Sequence, residues 1–132
     1  MNSASEDIKD IMGQSFMGLP YVFGTNLFIG MMPDKPDLCV SLYDTGGYDP
    51  DVSNEYFNPT IQIMLRGGVG HYKATYEGLQ EIRNFLHRIH NEIYNSTRYL
   101  LITGQGDILY IGVDDRNRPI FSTNFRIQRT ES

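Results

Sequence analysis

The sequence predicts an α+β fold: a mainly antiparallel sheet packed by one long helix and a shorter N-terminal helix. Three observations predict it. Apolar residues recur first at helical spacing and then alternate at strand spacing. They return to helical spacing over the longest regular segment of the chain. Three strand-like pieces with short connections follow, and short connections imply antiparallel neighbours. No repeat or linker interrupts residues 1–132, which read as a single domain.

The elements follow in order. Ser3 with Glu6 three positions on is a helix capping box, and Ala4, Ile8, Ile11, Met12 and Phe16 form one apolar stripe after it. Gly13 and Gly18 weaken that helix and Pro20 closes it, so it is expected over about Ser3 to Met17. Leu27-Phe28-Ile29 is a short strand, and Met31 to Pro36 a turn-rich link. Leu38, Val40 and Leu42 alternate with Cys39, Ser41 and Tyr43 as a strand with one face inward. Asp44 to Asn58, rich in Gly, Asp, Pro and Asn, reads as an exposed loop. Ile61, Ile63 and Leu65 mark a second strand.

Glycines 67, 68 and 70 precede the long helix. Tyr72, Tyr76, Leu79, Ile82, Leu86, Ile89 and Ile93 keep to one side of it, so about 22 residues should make a rod of ~33 Å. Beyond Asn95, Tyr99–Thr103 leads through a turn at Gly104 to Asp107 into Ile108–Val113, and Asp114 to Asn117 turns the chain into Pro119–Gln128. In that last piece Phe121, Thr123, Phe125 and Ile127 share one face, and Ser122, Asn124 and Arg126 the other.

Composition excludes several function classes. With 40% hydrophobic and 20% charged residues, the chain can hide roughly two thirds of its unfolded surface and is not a disordered tail. No apolar run approaches the ~20 residues of a membrane helix, and the acidic start lacks the basic-then-apolar layout of a secretion signal. A single cysteine, Cys39, excludes an internal disulfide and a cysteine-rich zinc site, and reads as a small core residue. Sixteen acids against eleven bases give a net charge of −5, which argues against a whole-surface grip on nucleic acid.

Few motifs could carry chemistry. Asp44-Thr45-Gly46 after an apolar strand has the form of an aspartic protease loop, in which two carboxylates share a proton. Such proteases are almost all β, and an Asp that caps a turn beside a Gly with positive φ explains the triplet structurally. His87 and His90 have a metal-chelating spacing on a helix but lack further ligands, so half-buried flanking histidines are the simpler reading. Asp49, Asp51 and Glu55 lack the central glycine of a calcium loop, and Arg66-Gly67-Gly68-Val69-Gly70 lacks the Lys-Ser/Thr of a phosphate cradle and reads as a hinge. No catalytic residue, metal or cofactor is assigned. What remains is surface: nine tyrosines, seven phenylalanines, and a crowd of Tyr43, Tyr48, Tyr56 and Phe57 in and beside the expected loop. Aromatics in such number suit an interface.

From Leu27 to Asn95 the chain resembles the minor capsid or tail-terminator proteins of tailed bacteriophages. The likeness lies in Met32-Pro33-Asp34-Lys35-Pro36-Asp37-Leu38-Cys39 and Leu42-Tyr43-Asp44-Thr45-Gly46-Gly47, then in Asn58-Pro59-Thr60-Ile61-Gln62-Ile63, Arg66-Gly67 and the long Tyr-starting helix. The resemblance implies a non-enzymatic structural protein of the virion, assembled in the host bacterial cytoplasm. Its subunits would close into a six-membered ring on the finished tail tube. The ring's partners would be itself, the major tail tube protein and the head-completion or connector proteins, with genomic DNA as cargo through the lumen and no membrane. Physically this requires head-to-tail contacts between two unlike patches. Tyr43, Asp44, Tyr48, Tyr56, Phe57 and Arg66 are the candidate subunit or tube contacts, Arg66 through a partner among Asp34, Asp37 and Asp44. A neck adaptor that binds one partner without a ring is the alternative, and a homodimeric protease built on Asp44 the remote one.

Overall fold

The strands form one mixed sheet in the order β1-β2-β3-β6-β5-β4. The computed structural model describes residues 1–14, 19–51, 53 and 55–131. Among these, the elements are α1 (Ala4–Met12), β1 (Leu27–Ile29), β2 (Cys39–Asp51), β3 (Tyr56–Arg66), α2 (Tyr72–Leu86), β4 (His90–Tyr94), β5 (Thr97–Val113) and β6 (Pro119–Glu131). β1 runs parallel to β2, and each remaining pair is antiparallel. Both helices lie on the sheet, α1 against β1, β2 and β3, and α2 against β3, β5 and β6.

α1 starts where the capping box places it: the Ser3 hydroxyl accepts from Glu6 N at 3.2 Å. It buries Ala4, Ile8, Ile11 and Met12 and stops at Gly13, whose N–H bonds back to Lys9 O at 3.0 Å. The expected extension through Phe16 to Met17 falls partly on residues 15–18, outside the described residues. The core is a single cluster in which Ile8, Ile11, Leu79, Ile82 and Leu86 of the helices meet Leu42, Ile61, Ile63, Leu65, Phe121, Phe125 and Ile127 of the sheet. Phe121, Thr123, Phe125 and Ile127 are buried, while Asn124 and Arg126 are exposed on the opposite face. Ser122, on the same face as Asn124 and Arg126, is nevertheless buried and accepts from Gln62 Nε2 at 3.0 Å, so the two-residue repeat of β6 separates core from open surface only from Thr123 onward.

Three sequence expectations are corrected. The long helix ends at Leu86, well before Ile93. Bonds from Arg88 N to Phe85 O and from Ile89 N to Leu86 O tighten its last turn, and the chain then enters β4. Asn95 (φ 50°) and Ser96 (φ 63°) form a two-residue turn with both central residues left-handed, which fits the twist of a hairpin and pairs Tyr94 with Thr97. Ile89 still reaches the core, but Ile93 is 49% exposed. Cross-strand pairing outweighs the helical period here, because β4 covers the upper part of the β5 edge.

The second correction concerns Asp44 to Asn58, which is mostly paired strand rather than loop: β2 and β3 continue as a hairpin arm, with Gly47 opposite Pro59 and Asp51 opposite Tyr56, and β6 stays paired to β3 as far as Phe57. Register shifts flank Gly47 and Tyr48. A Cβ on Gly47 would stand 2.2 Å from Asn58 O, so glycine there admits the opposing backbone instead of ending the strand. Third, Gly104 to Asp107 is no turn. β5 runs unbroken, and the stretch from Gln105 to Leu109 bulges opposite Asn124 to Ser122. A Cβ on Gly104 would meet the Arg83 guanidinium at 2.9 Å, and that guanidinium donates to Gly106 O.

Candidate functional site

The lower end of the sheet is fastened by two buried arginines. Arg66, 3% exposed, donates through Nε to Asp37 O (3.1 Å) and through Nη2 to Pro33 O (2.6 Å) and Pro36 O (2.8 Å). Of the three expected partners Arg66 meets Asp37, through the backbone carbonyl and not the carboxylate, and it binds the carbonyls of Pro33 and Pro36 beside it. The carboxylates of that segment belong to Arg118, which sequence reasoning missed. Its guanidinium meets Asp34 Oδ1 at 2.9 Å, Asp37 Oδ1 at 3.2 Å and Asp114 Oδ2 at 2.8 Å. A fork of donors can hold several acceptors at fixed angles, which an ammonium cannot. Partial desolvation raises the Asp114 carboxyl, but bonds from Arg118 and from Arg116 N outweigh it and hold it down at about 2. The bond to Asp114 in turn leads in raising the Arg118 guanidinium. Asp114 and Arg118 stand four apart across a turn, and that opposite-charge spacing was the legible signal.

Asp44 is occupied structurally. Its Oδ1 accepts from Ser5 N at 3.1 Å and so caps the start of α1, while Thr45 Oγ1 lies 2.7 Å from Thr60 Oγ1 and Gly46 takes φ 85°. The triplet is therefore a helix-capping strand bulge in this chain. Tyr43 is half-buried and opposite Gln62. Tyr48 is 53% exposed, accepts from Gln105 Nε2 at 3.2 Å and lies 4.6 Å from the Arg126 guanidinium. Tyr56 is half-buried opposite Asp51, and Phe57 is 38% exposed opposite Arg129. The structure brings Tyr43, Asp44, Tyr48, Tyr56 and Phe57 together on the arm and places Arg66 apart at its base.

The histidine pair is not a helical chelate. His87 Nδ1 accepts from Gly104 N at 3.1 Å, and His90 lies on β4 with Nδ1 3.2 Å from Arg88 O. Among the described residues no group of three or more His, Cys, Asp or Glu side chains is placed to hold a metal. Two of the glycines before α2 admit close packing, since a Cβ on Gly67 would fall 1.8 Å from Thr75 Oγ1 and one on Gly68 2.9 Å from His71 Nδ1, while Gly70 takes φ 77° in open space. Asp7 was also missed. Fully buried, it accepts from Asn95 Nδ2 at 2.7 Å and from the Tyr99 hydroxyl, pinning α1 to the far side of the sheet. Burial, then the bond to Asp7, pushes the Tyr99 phenol up.

The two sheet edges are the remaining accessible feature. At one edge β1 pairs with Val40–Leu42, leaving the outer side of the β2 arm without a strand partner among the described residues. At the other, β4 covers β5 to Leu101, Ile89 O takes Ile102 N, and His87 takes Gly104 N. Beyond them Leu109, Tyr110, Ile111 and Val113 are 63%, 43%, 48% and 54% exposed. Ile108 to Gly112 lacks any polar alternation, a run that suits a strand covered on both faces. None of the described helices is long and apolar enough to cross a membrane.

The comparisons agree with this picture. The backbone is similar to a chain of a solved structure described as the virion of a native gene transfer agent (GTA) particle. The TM-score is 0.68 at 11% identity, covering 98% of this chain and 95% of that one, which establishes a shared fold. No curated protein matches the sequence. A family model described as bacteriophage tail terminator protein matches residues 6–131. The chain, matched over nearly its whole length, belongs to the bacteriophage tail terminator protein family, a structural family of the virion tail.

Proposed function

We propose that this protein closes as a ring on the head-proximal end of the tail tube, stops tube polymerisation and presents a surface to the neck or connector proteins. The family match across residues 6–131 carries this reading. The fold supports it. A ring needs each subunit to show two unlike patches whose contact repeats until the rotation closes. The arm beside β1 and the β4–β5 edge are unlike patches at opposite edges of one sheet. The net charge of −5 suits a passage through which DNA slides without being held.

The reading is tested in particles produced without the protein. Electron microscopy should show tubes of uneven length that fail to join filled heads. Tubes of uniform native length joined to filled heads would overturn it. Replacing Tyr48–Tyr56 by a short glycine linker should leave the domain folded and remove it from assembled tails; unchanged incorporation would refute a contact role for the arm.

A further inference from the structure

The two edges of the sheet correspond level by level. The register carries Asp44 through Ile61 and Phe125 to Gly104, where Arg83 and His87 lie. It carries Phe57, near the arm tip, through Arg129 and Tyr99 to Glu92 on the edge strand β4, with Arg98 the residue before Tyr99 on β5. At the lower end it carries Val40, the partner of Leu27, through Leu65 and Phe121 to Tyr110.

The two edges differ in charge, and both carry exposed apolar residues. The stretch 44–58 contains Asp44, Asp49, Asp51 and Glu55 and no lysine or arginine. Opposite it, the flank contributes Arg83, Arg88 and Arg98, with Glu92, whose carboxylate accepts from the Tyr94 hydroxyl, and Asp107 in the β5 bulge as its acids. Below, Val22, Phe23 and Met31 beside β1 are 60%, 53% and 53% exposed, at the level of exposed Leu109 and Ile111. An open apolar strand edge invites pairing unless something covers it.

We propose that these edges are the two halves of one contact between copies of this chain. The acidic arm of one copy lies along the arginine-bearing flank of the next, and the apolar surface beside β1 covers the open edge of β5. This rests on the ring reading and names its interface. Like edges cannot replace unlike ones, because arm on arm would set acids against acids. The contact is therefore head-to-tail and leaves one free edge of each kind until the ring closes.

The test is cross-linking in assembled particles. A chain carrying both Asp49→Cys and Arg98→Cys, treated with a short bis-maleimide, should give a ladder of covalent multimers on a denaturing gel. Each single substitution should give none, and native Cys39, fully buried, should stay silent. Val22→Cys with Ile111→Cys probes the apolar level in the same way. In parallel, Asp49→Lys and Arg98→Glu should each lower incorporation at least tenfold, and the double reversal should restore it. Dimers from a single-cysteine chain would overturn the proposal by showing like edges in contact. Tails of native length with neither ladder nor charge rescue would overturn the edge assignment while leaving the ring intact. Normal tails formed in the protein's absence would instead sink the ring reading itself.

Discussion

Segment 31–38 and the arm 44–58 are both rich in aspartate with proline, and both read as irregular in sequence. The molecule treats them in opposite ways. Segment 31–38 wraps two buried cations, whose guanidiniums donate to its backbone carbonyls at partly buried sites. The arm keeps its backbone paired but spends its side chains on exposed contacts: Thr45 with Thr60, Asn58 Nδ2 to Asp49 O at 3.0 Å, and Tyr48 beneath Arg126. Exposed contacts of this kind contribute little and can be exchanged for others. The first segment is thus a fixed part of the fold, and the second is a surface whose contacts can change on assembly.

Arg66→Ala should break the fixed side most severely. Three carbonyls would lose their shared donor, a loss on the order of 3 kcal/mol. For a domain of this size that lowers Tm by roughly 10 °C in thermal unfolding. Arg66→Lys should recover less than half, since one ammonium cannot reach three diverging carbonyls. A Tm within two degrees of the native value for Arg66→Ala would show that segment 31–38 is held no better than the arm.

The second cation gives a pH signature of intermediate size. The Asp114 carboxyl stands at about 2 in the folded chain against 3.8 ordinarily, so its folded pKa is depressed. The stability it contributes is complete above its ordinary value and is lost as pH falls through about 2. Thermal unfolding between pH 5 and pH 2 should therefore steepen downward below pH 4, and Asp114→Asn should flatten that part of the profile. Identical profiles for Asp114→Asn and the native chain would remove Asp114 from the clamp.

How far the sequence disclosed this follows from where each signal is local. Alternation in Leu38–Tyr43 and Ile61–Leu65 disclosed two strands, and the Ser3–Glu6 box disclosed the start of α1, because those patterns are complete within a few residues. The end of α2 was hidden because Ile89 and Ile93 continue its period, and the deciding fact was a pairing of Tyr94 with Thr97 across a left-handed Asn-Ser turn. The arm was read as loop because Gly46 and Gly47 signal a turn equally well as a bulge, and only the approach of Asn58 O distinguishes them. Among site residues, the aromatics of the arm were visible as composition. Asp34, Asp37 and Arg118 meet only through folding, since the arginine lies more than 80 residues further along the chain. The edge correspondence was invisible for the same reason, being a property of register through four strands.

The smallest effect sharpens the comparison most. Tyr48 is held by a bond from Gln105 and by the face it offers to Arg126, and an exposed cation–π contact contributes roughly 0.5–1 kcal/mol. Tyr48→Ala should therefore lower stability by less than about 1 kcal/mol, a change of a few degrees in Tm at most. Yet these contacts reach from β2 of the arm across β3 to β6 and β5, and they tie the arm's outer strand across the face of the sheet. Without them the paired backbone still forms, but its acids no longer stand at a fixed level. Tyr48→Phe keeps the ring face and loses only the bond to Gln105, so it should behave as the native chain in both stability and incorporation into tails. Tyr48→Ala should combine near-native stability with reduced incorporation. Loss of both in proportion would mean the arm is held as rigidly as segment 31–38, and loss of neither would mean its orientation is fixed by the backbone alone.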